Sequence, residues 1–193
     1  MLNVKSISEF LTKNTDSRLC KRWYIITPNG TLLANSIPVE ARGLRKQAAL
    51  VVLTWQEHQP VEKKPSLTDE GGARGDAPKP RLQTLTIESW TSNTIATLVQ
   101  PQLLLVLEGG IPPRRKGFEP KTTPEFQGDT VYPNLETDDL GSSTSLASKA
   151  SSAAAIGVLK LHRKRANALA AAIAQQLEQT GFVIPDEGPA KLF

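Results

Sequence analysis

The sequence predicts a mixed α/β fold with its elements in the order α-β-β-α-β-β-β-α. Three observations support this prediction: a hairpin signal at residues 28–30, a helical pattern at 39–59, and three β-prone runs between 82 and 107. Because only short turns separate the three runs, their strands are expected to be antiparallel neighbours.

The composition predicts one packed domain that is interrupted by segments without regular structure. Only 39% of the 193 residues are hydrophobic, and the chain contains 14 prolines and 13 glycines. We expect a single domain over residues 1–181, with disordered insertions at 60–81 and 110–150 and a loose tail at 182–193. Both insertions are rich in proline, glycine or small polar residues and show no hydrophobic period.

The charge and the single cysteine exclude several classes of protein. A formal charge of +4 is too small to indicate nucleic-acid binding unless it is concentrated in one place. No apolar run approaches the roughly 18–20 residues of a membrane span, and the N-terminal "MLNVKSISEF" lacks the apolar centre of a signal peptide. Cys20 has no second cysteine for an intrachain disulfide, so a cytosolic or cytosol-facing compartment is expected.

The first part of the chain is predicted to form a helix followed by a β-hairpin. A helix over 2–13 would place four apolar residues near one face: Leu2, Ile7, Phe10 and Leu11. Strands at 23–27 and 31–36 flank Pro28-Asn29-Gly30, whose asparagine and glycine tolerate the positive φ of a tight turn. A lone glycine can instead cradle a phosphate, but the usual glycine-rich pattern is missing, so a scaffold hairpin is favoured.

The predicted helix over 39–59 has two apolar stripes rather than one. The wider stripe consists of Leu44, Ala48, Val51, Val52 and Trp55, and the narrower one of Ala49, Leu50 and Leu53. A surface helix needs only one stripe, so the second indicates either full enclosure or a surface for a partner. We expect the wider stripe to face the sheet.

The second half of the chain is predicted to supply the rest of the sheet and a long closing helix. Strands at 82–88, 94–99 and 103–107 are followed, after the second insertion, by a helix at 151–179. The apolar stripe of that helix is Leu159, Ala166, Leu169, Ile173 and Leu177, and Gly181 is a suitable C-terminal stop.

The histidines and the cysteine do not form a catalytic or metal-binding pattern. His58 and His162 lie on different predicted helices without metal-ligand spacing. Lys21 and Arg22 could lower the pKa of the Cys20 thiol, but no histidine lies near it in sequence. We therefore predict no catalytic residue, no metal and no cofactor.

A basic run at 160–165 lies on the closing helix. It is expected to be either a solvated helix face or a docking site for an acidic partner, with Lys160, Arg163 and Arg165 as the docking candidates. No aromatic residues are interleaved with it, which argues further against nucleic acid.

Six segments of the chain together resemble one family. They are "MLNVKSISEFL", "NGTLLANS", "LQTLTIES", "TIATLVQP", "QLLLVLEG" and "RANALAAAIAQQLE". In this order they resemble the roadblock/dynein-light-chain family, and within it the roadblock subunits of Ragulator-type complexes, which are called EGO complexes in yeast. The two insertions depart from the family pattern.

The resemblance implies a roadblock-type fold and a way of pairing. The fold would be a five-stranded antiparallel sheet with the middle helix on one face and the two terminal helices on the other. Members of the family pair through their middle helices and the adjoining third strands. The implied dimer interface of this chain is therefore Ala49, Leu50 and Leu53 on the helix, with Leu85 and Ile87 on the strand.

The resemblance also implies a non-catalytic scaffold or adaptor. Such a subunit forms a heterodimer with a second roadblock-domain protein, is held by a lipid-anchored scaffold subunit, and presents Rag-type GTPases in TOR amino-acid signalling. It would lie on the cytoplasmic face of the late endosome, lysosome or vacuole, touching the membrane only indirectly. Two alternatives remain: a roadblock light chain of the dynein motor, and a phosphate- or nucleotide-binding protein that uses the hairpin turn and the basic helix.

Overall fold

The computed structural model describes residues 3–36, 41–59, 81–110, 118–128 and 146–184. Side chains are described from residue 42 in the second helix and from residue 154 in the third. The predicted insertion at 60–81 lies outside the described residues except for Arg81, and so do most of the insertion at 110–150 and residues 185–193 of the tail.

The elements follow the predicted order, with one strand added. They are α1 (Val4–Lys13), β1 (Cys20–Ile26), β2 (Leu32–Asn35), α2 (Ala41–Glu57), β3 (Leu82–Glu88), β4 (Asn93–Gln100), β5 (Leu103–Gly109), β6 (Lys121–Phe126) and α3 (Leu146–Gln179). The described chain is thus an α/β domain built on one antiparallel sheet.

Within the described ranges, the sheet has six strands in the order β2-β1-β5-β4-β3-β6, and every neighbouring pair is antiparallel. The prediction of five strands was wrong by one, because Lys121–Phe126 lies within the predicted insertion at 110–150 and forms β6 along β3. This segment contains a proline and lacks an apolar alternation, which explains why its sequence resembles a loop.

Two apolar cores cover the two faces of the sheet. On one face, the predicted wider stripe of α2 packs on β1, β3, β4 and β5, with Trp55, Tyr24, Leu85 and Val106 among the buried members. On the other face, α1 and α3 pack on β1, β4 and β5 around Trp23, Ile95 and Leu105. The expected layering of one middle helix against two terminal helices is confirmed.

The end of α3 is fixed by a Schellman motif. Gly181 has a φ of +62°, its N–H donates to the Glu178 carbonyl at 3.0 Å, and the Phe182 N–H donates to the Leu177 carbonyl at 3.0 Å. These two bonds satisfy carbonyls that the helix end would otherwise leave without partners. Phe182 and Ile184, which were expected to belong to the loose tail, pack against the α1–α3 core.

None of the helices in the described ranges is both long and apolar enough to cross a membrane.

Candidate interaction surface

The narrower stripe of α2, which we call the outer face of α2, consists of Ala49, Leu50 and Leu53 and faces solvent. Leu50 is 65% exposed and Leu53 is 63% exposed, and Ala49 between them is exposed as well. The wider stripe on the opposite side of the helix is buried, with Trp55 only 1% exposed. The sequence-based assignment of which stripe faces the sheet is therefore confirmed.

Side-chain hydrogen bonds of Gln47 and Gln56 hold α2 in one orientation. Gln56 Nε2 donates to the Pro28 carbonyl at 3.0 Å, which ties the end of the helix to the β1–β2 turn. Arg22 Nη1 donates to Gln47 Oε1 at 2.9 Å and lies 3.3 Å from Glu108 Oε2 on β5. Because these contacts join α2 to the β1–β2 turn and to β1, and Arg22 is itself held by β5, the outer face is presented by a rigid support.

Charged side chains flank the outer face with opposite signs at its two ends. Arg45 and Lys46 precede it along the helix and Glu57 follows it, and all three are exposed. Arg45 and Glu57 are equally far from Val51 in sequence. Suppose that a second helix with the same charge distribution packs antiparallel on this one and crosses it at the level of Val51. A basic residue of one helix would then lie opposite an acidic residue of the other at both ends of the contact.

The two strand residues of the expected interface, Leu85 and Ile87, lie in or against the core of this chain. Leu85 is fully buried beneath α2, and Ile87 is half-buried against the same core. The edge of β3 that was expected to adjoin a partner is paired with β6 of the same chain, with Leu85 opposite Pro124. Leu85 and Ile87 therefore belong to the packing of this chain, and among the described strands β6 is the outermost at this end of the sheet.

The basic run of α3 is not one solvated face. Arg163 is buried and forms an ion pair with Glu125 on β6, whereas Lys160 is exposed. Arg165 Nη1 lies 3.6 Å from Asp16 Oδ2 and donates to the Cys20 sulfur at 3.4 Å. The prediction that Arg163 projects towards a partner is wrong, because this side chain is buried against β6 of the same chain. Arg165 is partly exposed, so docking through Lys160 and Arg165 stays a prediction.

Cys20 and His162 are buried parts of the scaffold. Burial raises the pKa of the Cys20 thiol, despite the hydrogen bond from Arg165, so the thiol is not activated as its basic sequence neighbours suggested. Burial lowers the pKa of His162, whose ring occupies the space where Gly109 lacks a side chain. His58 Nδ1 lies 2.8 Å from the Thr54 carbonyl in the last turn of α2.

The amides at the β1–β2 turn are engaged within the turn. The Gly30 N–H donates to the Thr27 carbonyl at 2.9 Å, and the Thr31 N–H lies 3.1 Å from Thr27 Oγ1. Gly30 has a φ of +86°, as the hairpin interpretation requires. A phosphate loop needs its backbone N–H groups aimed at the ligand, so this geometry favours a scaffold turn.

A groove of about 580 Å³ runs between the end of α1 and α3. Trp23 and Leu169 are among its lining residues, and of its three charged residues, Lys13, Asp16 and Arg165, the last two pair with each other. Within the described part of the chain, no cluster of three histidine, cysteine or acidic residues could hold a metal ion. The surface that stands out is therefore the outer face of α2.

Comparisons with known proteins find two solved structures of low sequence identity and no match by sequence. No protein-family model matches the sequence, and no curated protein matches it. Among solved structures, the chain is similar to one described as MglB with a tetrameric arrangement, at 17% identity and a TM-score of 0.47, with 93% of each chain covered. It is also similar to a roadblock/LC7 domain from Streptomyces avermitilis, at 10% identity and a TM-score of 0.38, over 53% of this chain and 77% of that chain.

Proposed function

We propose that this chain is a non-catalytic adaptor of the roadblock type that pairs with a second roadblock-domain chain through the outer face of α2. The observation that carries the proposal is the exposure of Leu50 and Leu53 on a helix whose opposite stripe is completely covered. A neighbouring pair of leucines in water costs free energy that a partner helix recovers by covering them.

The partner is expected to present a helix of similar charge distribution. Arg45 and Glu57 at the two ends of the outer face favour an antiparallel partner helix with an acid near its C-terminal end and a base near its N-terminal end. A heterodimer of two roadblock domains meets this requirement, since both chains would carry an equivalent middle helix.

The assembly that we propose is of the Ragulator type. The heterodimer would be held by a lipid-anchored scaffold subunit and would help to recruit and regulate Rag-type GTPases in TOR amino-acid signalling. Its place would be the cytoplasmic face of the late endosome, lysosome or vacuole. The support for this finer assignment is the order of the sequence segments that resemble Ragulator-type roadblock subunits, from the Met-Leu opening to "RANALAAAIAQQLE".

Affinity purification of the tagged full chain, with identification of the co-purifying chains, tests the proposal. We expect a second roadblock-domain chain in equimolar amount, together with Rag-type GTPases. The matched control is Leu50→Asp with Leu53→Asp, which should recover neither. Recovery of dynein motor subunits instead would replace the Ragulator assignment, and recovery of the same chains by the control would place the pairing surface elsewhere.

A further inference from the structure

The end of the sheet formed by β3 and β6 is polar on the face towards α3. Since Leu85 and Ile87 belong to the α2 core, the alternate residues of β3 lie on the other face, and the register gives each a polar partner on β6. The cross-strand pairs are Thr84 with Glu125, Thr86 with Thr123, and Glu88 with Lys121. This polar face contrasts with the aliphatic residues that β4 and β5 place beneath the same helix.

Among the described residues, two ion pairs connect β6 to β3 and α3 at this face. Lys121 Nζ lies 3.6 Å from Glu88 Oε1 on β3, and Glu125 pairs with Arg163 on α3. The Glu88 and Arg163 side chains are only 1% and 2% exposed. Each charge that β6 brings thus complements a buried charge that β3 or α3 provides.

Apolar packing contributes little to holding β6. Its residues are half-buried or exposed, and Phe126 is the residue of β6 that joins an apolar core. On β3, the Thr86 hydroxyl opposite Thr123 is buried without a hydrogen-bond partner among the described residues. A buried polar group without a partner costs its desolvation free energy, and this cost weakens the interface between β3 and β6.

Departure of β6 would return the buried charges to water. Glu88 and Arg163 are desolvated while β6 covers them, and their hydration on opening offsets part of the lost ion pairing. The strand is also a poor template for a further strand, since it carries Lys121 and Pro124, two features that typically protect a sheet edge. The better template for adding a strand is therefore the edge of the neighbouring strand β3, once β6 has left it.

We propose that the β3 edge, together with Arg163, is a strand-binding site that β6 occupies as an exchangeable intramolecular ligand. The external occupant is an extended segment of a second polypeptide with a base and an acid four residues apart, as in Lys121 and Glu125. The base pairs with Glu88 and the acid pairs with Arg163. Because these contacts all lie at the β3 edge, the site is independent of whether α2 pairs with a partner.

A labelled peptide with the sequence of residues 118–127 is a direct probe of this site. In Glu125→Gln, the intramolecular strand loses its pairing with Arg163, so β6 vacates the edge more often and the peptide should bind roughly tenfold more tightly than to the unchanged protein. Glu119→Gln is the matched control, because it removes an exposed acid from the same segment. Equal affinity for both variants, or no binding to either, would overturn the proposal.

A cross-linked variant keeps the test decisive if Glu125→Gln unfolds. Thr86 and Thr123 are directly opposite in the register, so Thr86→Cys with Thr123→Cys should lock β6 onto β3 when oxidised. The oxidised form should exclude the peptide, and its reduced form should bind it. Peptide binding that persists in the oxidised form would show that the peptide binds elsewhere and would overturn the proposal.

Tryptophan fluorescence and hydrogen exchange show which part of the chain opens when β6 leaves β3. Trp90, which is 66% exposed, makes an edge-to-face ring contact with Phe118 at 5.2 Å, just before β6. Glu125→Gln should therefore change the Trp90 fluorescence and speed hydrogen exchange in β3 while leaving β5 protected. Exchange that rises equally in β3 and β5 would mean global unfolding and would contradict a local exchange of β6.

Discussion

The adjacent residues Leu50 and Val51 on α2 should respond in opposite ways to the same substitution. Leu50→Asp with Leu53→Asp alters two side chains that are 65% and 63% exposed, whereas Val51→Asp with Val52→Asp alters two that are 4% and 5% exposed. The first change should abolish pairing and leave a folded monomer. The second should unfold the chain, because it places carboxylates without partners against the sheet.

The size of the pairing effect can be worked out from the exposed fractions. Complete burial of a leucine side chain contributes about 1.5–3 kcal/mol, so covering the exposed part of both leucines contributes roughly 2–4 kcal/mol. At 1.4 kcal/mol for each factor of ten, the double variant should lose roughly 30- to 700-fold in affinity. The lower helix propensity of aspartate costs about 1 kcal/mol in total, which lowers the Tm by about 2–4 °C.

Multi-angle light scattering, titration against the co-purified partner and thermal unfolding measure these quantities separately. The expected result is a folded monomer with a nearly unchanged Tm and greatly weakened pairing. Unfolding of the Leu50 and Leu53 variant would refute the exposure of the outer face. A folded variant that still binds its partner would refute the pairing surface itself.

Three further outcomes are expected. Gly157→Ala should raise the free energy of unfolding by about 1 kcal/mol, because glycine is a poor residue in a helix interior. Gly181→Ala should lower the free energy of unfolding by about 1–2 kcal/mol, because an L-residue is strained at positive φ. The space around both glycines is open, so urea unfolding of the two variants isolates the backbone effect. Cys20 in the native protein should resist alkylation by iodoacetamide at neutral pH, since burial raises its pKa, and fast labelling would contradict this. Burial lowers the pKa of His162 below 6.5, so the unfolded state binds more protons than the folded state. The free energy of unfolding should therefore fall as the pH drops below about 6.5. A His162→Gln variant that remains folded should show a smaller fall.

The elements with a strong hydrophobic period could be predicted from the sequence. The two stripes of α2 and the single stripe of α3 repeat at the helical period, and the β-hairpin carries an unambiguous turn at Asn29-Gly30. In each case, the residues that decide the structure are neighbours along the chain. Local pattern and burial therefore lead to the same result.

The polar end of the sheet could not be predicted in the same way. The inner face of β6 is polar, so Lys121–Phe126 has no apolar alternation, and Pro124 is typical of loops as well as of edge strands. Arg163 belongs to a basic run in sequence, whereas its ion-pair partner Glu125 is supplied by a strand that is distant in sequence. The isolated aromatic residues Phe118 and Phe126 were the available signal for ordered structure within the insertion.

The tight packing at Gly109 and Gly110 bears on how the chain length can vary. An added Cβ at Gly109 would collide with the His162 ring, and one at Gly110 would collide with the Arg18 carbonyl, while the Gly110 N–H donates to the Leu19 carbonyl at 2.8 Å. The point at which the chain leaves β5 is thereby fixed from two sides. Since the entropy of closing a loop rises by only about 0.6 kcal/mol for each doubling of its length, homologous chains can lengthen or shorten the segment after Gly110 at little cost, provided that both glycines are retained.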